Sequence, residues 1–78
     1  MEEKTIRRNL YRVLRKTGVP KNEIKTNASF SDDLNFDTVD WDIFTFYLTD
    51  TFNIHVKDEE NLRFSSVDET IQYLKLPA

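Results

Sequence analysis

Apolar side chains recur every three or four positions near the start of the chain, which is the spacing of an α-helix. The pattern predicts a first helix over residues 4–17, with basic side chains on the opposite face at about 100° per residue. Gly18 and Pro20 follow, as is typical where a helix ends. The apolar face, which should pack into a core, carries Ile6, Leu10, Val13 and Leu14.

A second helix is predicted from its N-cap, Asp37, to about Phe52. Asp40 lies in its first turn, where a negative charge interacts favourably with the helix dipole. This helix has apolar side chains along two faces rather than one. The first, which we call the Trp41 stripe, consists of Trp41, Phe44, Leu48 and Phe52. The second, roughly opposite on the helical wheel, is the Val39 stripe, which consists of Val39, Ile43, Phe46 and Tyr47.

The rest of the chain contains a long connection, a short helix and a final helix. Residues 18–37 show no sustained period, and so long a connection must pack in places, with the anchors Ile24, Phe30, Leu34 and Phe36. Residues 52–56 are a brief strand candidate, and residues 58–64 predict a short helix or turn. Residues 66–69 form a capping box that opens the final helix. The pattern therefore predicts an all-α fold of three main helices plus one short helix, with a long first loop.

Length and composition indicate one small domain. Seventy-eight residues have room for a single modest core, so residues 1–78 are interpreted as one domain. The absence of cysteine excludes disulfide bonds and thiolate metal sites. The chain has neither an apolar run of transmembrane length nor the start of a signal peptide, so a cytoplasmic protein is expected.

Charge is distributed unevenly along the chain. Residues 1–30 carry eight Lys and Arg against three Glu, whereas residues 31–60 carry nine acids against one Lys. The two segments therefore have net charges of +5 and −8. The basic face of the first helix could contact phosphate, but the neighbouring acids disfavour a polyanion, so we expect a solvated face and no nucleic-acid partner.

Two kinds of chemistry are disfavoured by the residues present. Residues 33–37 have oxygen ligands at the first positions of a calcium-binding loop, but Thr38 replaces the required glycine and Phe44 the required glutamate. The one histidine, His55, has no nucleophile near it in the sequence, and a small helical domain rarely encloses a catalytic pocket. We therefore expect neither a specific metal site nor an enzyme.

Residues 29–42 resemble the attachment region of the acyl and peptidyl carrier proteins. That family has a Phe-x-x-Asp-Leu loop shortly before an Asp-Ser-Leu sequence that opens its second helix. The matching residues in this chain are Phe30, Asp33 and Leu34 in the loop, then Asp37 at the aspartate and Thr38 at the serine. The resemblance continues at Phe52 and over residues 56–60, 65–67 and 71–74, so it covers nearly the whole chain.

The resemblance implies a small right-handed antiparallel helical bundle like that of acyl carrier proteins. It also assigns the Trp41 stripe to the interior of the bundle. The expected core contains Ile6, Leu10, Val13, Leu14, Phe30, Leu34, Phe44, Leu48, Phe52, Phe64, Val67, Ile71 and Leu74.

The attachment serine of the family accepts a 4'-phosphopantetheine arm, and Thr38 occupies its position, next to Asp37. Threonine has a hydroxyl, but its extra methyl group crowds the oxygen and restricts χ1. Asn35 and Val39 also replace the family's usual glycine and leucine, although Asn tolerates a left-handed backbone. We expect a protein without the arm. The alternative is an acyl carrier in fatty-acid or secondary-metabolite synthesis with 4'-phosphopantetheine on Thr38.

If the Trp41 stripe faces inward, the Val39 stripe is available for a partner. An apolar strip rimmed by charge of one sign is typical of a docking surface, and the resemblance implies that carriers meet basic patches on acyl-transfer or synthase enzymes with this helix. The expected partner-binding residues of a monomer are Asp37, Val39, Asp40, Asp42, Ile43, Phe46, Tyr47 and Asp50. The alternative is that the long loop folds over this stripe through Phe36 and buries it.

Overall fold

The computed structural model describes residues 2–54 and 64–75, and these residues form three α-helices without a strand. The helices are α1 (Glu3–Thr17), α2 (Thr38–Phe52) and α3 (Val67–Lys75), and a 3₁₀ turn, Lys21–Glu23, interrupts the long first loop. The predicted all-α fold is confirmed.

Some predictions concern residues outside those ranges. The short helix predicted over residues 58–64 and the histidine His55 lie outside the described residues, apart from Phe64. The brief candidate at residues 52–56, from which no sheet was expected, does not begin as a strand, because Phe52 ends α2 and Asn53 is its left-handed C-cap, with φ of 51°. A left-handed residue at this position ends a helix and interrupts extended backbone.

Gly18 ends α1 in the predicted way. Its φ of 117° lies in the left-handed region that residues with a Cβ rarely adopt, and its N–H donates to the carbonyl oxygens of Leu14 and Arg15. The N–H of Val19 also donates to Leu14 O, at 3.0 Å. These bonds satisfy carbonyl groups that the last turn of a helix leaves without intrahelical partners.

The core lies where α1 packs against both α2 and α3. Most of the predicted core is buried, and Val19, Ile24 and Ala28 of the first loop join it. The predicted residues that are buried are Ile6, Leu10, Val13, Leu14, Phe30, Phe44, Leu48, Val67 and Ile71. The remaining four, Leu34, Phe52, Phe64 and Leu74, are partly buried and pack around this centre. Phe52 is therefore a peripheral residue and not a central one, because it occupies the last turn of α2.

The first loop is held in place by the start of α3. Ser29 and Ser66 form an isolated antiparallel bridge, and the N–H of Val67 donates to Ala28 O at 3.0 Å. Ser66 also caps α3, since its Oγ accepts from the N–H of Glu69 at 3.2 Å. The predicted capping box differs in one detail, because the Glu69 carboxylate accepts from Ser65 rather than from Ser66. The loop thus adds packing to the bundle, which explains why so long a connection is tolerated.

An ion pair joins the first turn of α1 to the last turn of α3. Glu3 accepts from Lys75 Nζ at 2.9 Å and from Arg7 at 2.7 Å. The hydrogen bond and charge of Lys75, and then the charge of Arg7, lower the pKa of Glu3. A lowered pKa contributes stability above the unfolded value, and this contribution is lost as pH falls through the folded value. Because the pair is exposed, its contribution to folding is small.

Candidate docking and attachment site

A reciprocal pair of hydrogen bonds opens α2. Asp37 Oδ1 accepts from the N–H of Asp40 at 2.9 Å, and Asp40 Oδ2 accepts from the N–H of Asp37 at 3.1 Å. This is a capping box, with aspartate in place of the more usual glutamate at the third helical position. Both carboxylates lie at the positive end of the helix dipole, which favours their charge. The predicted N-cap is confirmed.

The turn before the cap contains one left-handed residue. Asn35, at the family's glycine position, has φ of 53°, which is left-handed. Asparagine adopts this region more readily than other residues with a Cβ. The N–H of Phe36 then donates to Phe30 O at 2.9 Å and directs the chain into α2. Asn35 thus adopts the left-handed backbone of this turn without a glycine.

Thr38 is the first residue of α2 and is exposed. The cap uses the side chains on either side of it, from Asp37 and Asp40, and leaves Thr38 outside the reciprocal bonds. Thr38 is therefore an exposed hydroxyl-bearing residue at the N-terminus of α2. An anionic group at this position would be favoured by the helix dipole but would lie beside two carboxylates.

Aromatic rings fill the interior beneath this site. Phe30, Phe36, Trp41 and Phe44 contact one another with ring centroids 4.9–5.8 Å apart, in tilted or edge-on arrangements. Phe36 thus packs against the Trp41 stripe. Val39 and Phe46 of the opposite stripe remain 62% and 65% exposed. The first loop therefore does not cover the Val39 stripe, and the alternative in which Phe36 buries that stripe is not observed.

Tyr47 differs from the rest of the Val39 stripe. Val39, Ile43 and Phe46 are exposed, whereas Tyr47 is half-buried against the core. At about 100° per residue, Tyr47 lies only about 60° around the helix from the buried Phe44. Its ring contacts Phe46 at 5.4 Å, and Lys16 Nζ of α1 lies 5.6 Å from its centroid. Tyr47 therefore marks the border between the stripe and the core, and the sequence pattern did not predict its contact with Lys16.

Acidic side chains surround the exposed stripe. Asp37, Asp42 and Asp50 are exposed, and Asp40 is half-buried because its carboxylate caps α2. The structure thus brings all eight predicted partner-binding residues to α2 and its cap. Three of them also stabilise the fold, namely Asp37 and Asp40 through the cap and Tyr47 through its contact with the core, and the other five are exposed without such a contact.

The acidic loop residues make structural hydrogen bonds. Asp33 Oδ2 accepts from the N–H of Ser29 at 2.7 Å, and Asp37 caps α2. Within residues 2–54 and 64–75, no three His, Cys, Asp or Glu side chains are grouped so as to hold a metal ion. In the same part of the chain, no helix has the length and apolar character needed to cross a bilayer.

We predict a measurable loss of stability when the cap is removed. Asp37→Ala should lower the free energy of unfolding by about 1 kcal/mol, within a range of about 0.5–2 kcal/mol, because the N–H of Asp40 loses its acceptor. Asp42→Ala removes an exposed carboxylate from the same helix and should change stability by less than about 0.5 kcal/mol. Urea denaturation of both variants measures the difference. Equal effects would contradict a specific role for the cap.

Comparison with known proteins places the chain among small carriers. It is 33% identical over 75 residues to the acyl carrier protein of Chlorobium phaeobacteroides, an alignment that covers 95% of this chain and 96% of that protein. It is also 33% identical, with the same coverage, to the acyl carrier protein of Chlorobium luteolum. No family model matches the sequence.

Proposed function

The chain belongs to the acyl carrier protein family, and we propose that it acts as a carrier-type module that docks on partner enzymes through α2 without an arm on Thr38. Proteins of this family are carriers and not enzymes. The observation that carries the proposal is the exposed Val39 stripe, which lies beside Thr38 and is surrounded by aspartates.

The chemistry of this surface indicates the kind of partner. Val39 and Phe46 are more than half exposed, and apolar groups of this size gain free energy when a partner removes them from water. Asp42 and Asp50 add negative charge around them. Complementary charge mainly raises the rate of encounter, whereas a buried aromatic anchor mainly slows dissociation. A basic enzyme surface with an apolar pocket fits both features, and acyl-transfer or synthase enzymes are the expected class.

The absence of an arm is proposed from the chemistry of Thr38. Its methyl group lies next to the oxygen that would attack coenzyme A, and a β-branched side chain in a helix has fewer χ1 states available. The neighbouring Val39 is also β-branched, so its side chain is smaller than the family's leucine but is branched next to the backbone.

A working acyl carrier with 4'-phosphopantetheine on Thr38 is the second candidate, and a specific observation favours it. Thr38 is exposed at the N-terminus of α2, and Asn35 keeps the left-handed turn before it. A helix N-terminus favours the negative charge of a phosphodiester. The two candidates share the docking surface and differ only in the modification.

We predict that reversing the exposed charges slows docking. The probe is a broad-specificity phosphopantetheinyl transferase, an enzyme that recognises carriers, and stopped-flow mixing measures its association with the natural chain. Asp42→Lys combined with Asp50→Lys should reduce the association rate and flatten its dependence on salt. Asp40 is left unchanged because it caps α2. An association rate that is unaffected at low salt would contradict docking through this face.

We predict a different effect when the apolar anchor is removed. Phe46→Ala should raise the rate of dissociation from the transferase roughly tenfold or more, since central aromatic side chains commonly contribute over about 1.4 kcal/mol to an interface. Tyr73→Ala is the matched control, because Tyr73 is a 40% exposed aromatic residue on α3. If the two variants dissociate from the transferase at equal rates, Phe46 is not an anchor of the interface.

A further inference from the structure

A groove of about 530 Å³ lies between the C-terminal half of α1 and the 3₁₀ turn. Its apolar part is formed by Tyr11, which is half-buried, and by Ile24, which is buried. Four exposed cations surround these two residues, namely Arg12, Arg15, Lys16 and Lys21. The groove is thus an apolar depression with a basic rim, whereas the Val39 stripe is an apolar ridge with an acidic rim.

The groove and the Val39 stripe are neighbours on one side of the molecule. Lys16 lines the groove, and its Nζ lies 5.6 Å from the ring centroid of Tyr47. Tyr47 in turn contacts Phe46 of the exposed stripe, with ring centroids 5.4 Å apart. The contact between Lys16 and Tyr47 therefore joins a basic half and an acidic half into one continuous surface.

We propose that this surface binds a second copy of the chain, in place of the monomer expected from the sequence. A two-fold axis near the contact between Lys16 and Tyr47 would place the acidic half of each copy on the basic half of the other. Such an isologous interface forms the same pair of contacts twice and closes after two copies. Phe46 has the size and exposure to enter the groove beside Tyr11.

Charge complementarity supports a second copy as the occupant of the whole surface, because a basic enzyme would match only its acidic half. The first thirty residues carry a net charge of +5, and the next thirty carry −8. Separate copies therefore attract each other when these segments face across an interface, although the overall charge is −3. Because the rim charges are exposed, the attraction should decline as salt screens them. The inference goes beyond docking on enzymes and does not require an arm on Thr38.

Sedimentation equilibrium of the full chain tests the proposal. The mass should approach that of a dimer at high protein concentration in about 50 mM NaCl and return to that of a monomer in about 500 mM NaCl. A groove variant, Arg12→Glu with Arg15→Glu, and a stripe variant, Asp42→Lys with Asp50→Lys, should each weaken the dimer roughly tenfold or more. All four substituted residues are exposed, so circular dichroism should show an unchanged fold.

The charge-swapped chain, which combines all four substitutions, supplies the control. It has the net charge of the natural chain, and the four substituted positions have exchanged signs, so contacts between them again join opposite charges. It should therefore regain the dimer that each two-site variant loses. The proposal would be overturned if the natural chain remained monomeric at low salt. It would also be overturned if the charge-swapped chain remained monomeric. Laurate, a small anionic amphiphile, is a separate probe of the groove. A natural chain that is monomeric and binds laurate there would also overturn the proposal, because the groove would then be a site for such a ligand and not for a second copy.

The same variants separate this inference from the proposed docking on enzymes. The groove variant retains the Val39 stripe and its aspartates, so it should bind the transferase no more weakly than the natural chain does. In the groove variant, loss of transferase binding would contradict enzyme docking through the Val39 stripe alone, and an intact dimer would contradict the inference of a second copy. Loss of the dimer in the groove variant, with transferase binding intact, is the result that this inference predicts.

Discussion

Phe44→Ala should lower the free energy of unfolding by about 3–5 kcal/mol. Phe44 is fully buried, and its ring contacts Phe30, Phe36 and Trp41 at centroid distances of 5.4–5.8 Å. Its truncation would remove apolar contacts and leave a cavity that neighbouring aromatic rings can fill only in part. Since small domains are commonly stable by only about 5–15 kcal/mol, this variant should lose a large fraction of its stability.

Phe46→Ala is the matched control for this prediction. It makes the same substitution on the same helix, but Phe46 is 65% exposed. Its stability should therefore change by less than about 0.5 kcal/mol, which is the usual range for surface substitutions. Urea denaturation followed by far-UV circular dichroism compares both variants without depending on Trp41 fluorescence. Similar losses in the two variants would show that the inward and outward faces of α2 are misassigned.

The helices could be predicted because their signals are local. The apolar spacing of α1 and the glycine that follows it determine where that helix lies and ends, and Asp37 provides the N-cap of α2. The left-handed backbone at Asn35 follows from the tolerance of asparagine for that region. These features depend on a few consecutive residues, so the local sequence is enough to predict them.

The orientation of α2 could not be predicted from periodicity, because both of its faces are apolar. The choice depends on Phe30 and Phe36, which lie in the first loop and pack against the Trp41 stripe. Resemblance to carriers indicated the correct face, but the helical pattern alone did not. The peripheral position of Phe52 and the half-buried position of Tyr47 likewise depend on packing between elements.

The remaining differences between the expected and the observed structure arise from contacts between residues that are distant in sequence. The bridge between Ser29 and Ser66 joins residues that have no periodic signal in common. The groove forms because the 3₁₀ turn brings Lys21 and Ile24 to α1, whereas the sequence suggested only a solvated basic face. The hydrogen bond from the Asp37 N–H to the Asp40 carboxylate was also not predicted, since the sequence does not distinguish an aspartate that caps a helix from one that contacts a partner.

Thr38→Ser should accept the 4'-phosphopantetheine arm where the natural chain does not. The substitution removes one methyl group at an exposed position and retains the hydroxyl, the cap and the left-handed turn. If the methyl group displaces the attacking oxygen by about 1 Å, the rate of transfer should differ by roughly a hundredfold. Timed reactions with coenzyme A and the transferase, sampled by mass spectrometry, measure that ratio.

The wider motif offers a separate explanation that can be tested. If Thr38→Ser remains without the arm, the obstacle lies in the surrounding residues and not in the methyl group alone. A further variant that adds Asn35→Gly and Val39→Leu restores the usual family residues on either side. Its modification would assign the obstacle to these neighbours, whereas continued resistance would exclude the motif as the cause.

Intact mass of the natural chain, after expression beside a broad-specificity phosphopantetheinyl transferase, tests the central claim most directly. An acyl carrier protein with serine at this position, expressed in the same way, serves as the positive control for the enzyme and for coenzyme A, and Thr38→Ser is measured beside it. The account predicts that the natural chain retains its unmodified mass while the serine variant gains the mass of one phosphopantetheine group. A natural chain that is modified nearly completely would contradict the account and identify it as a working carrier charged on Thr38.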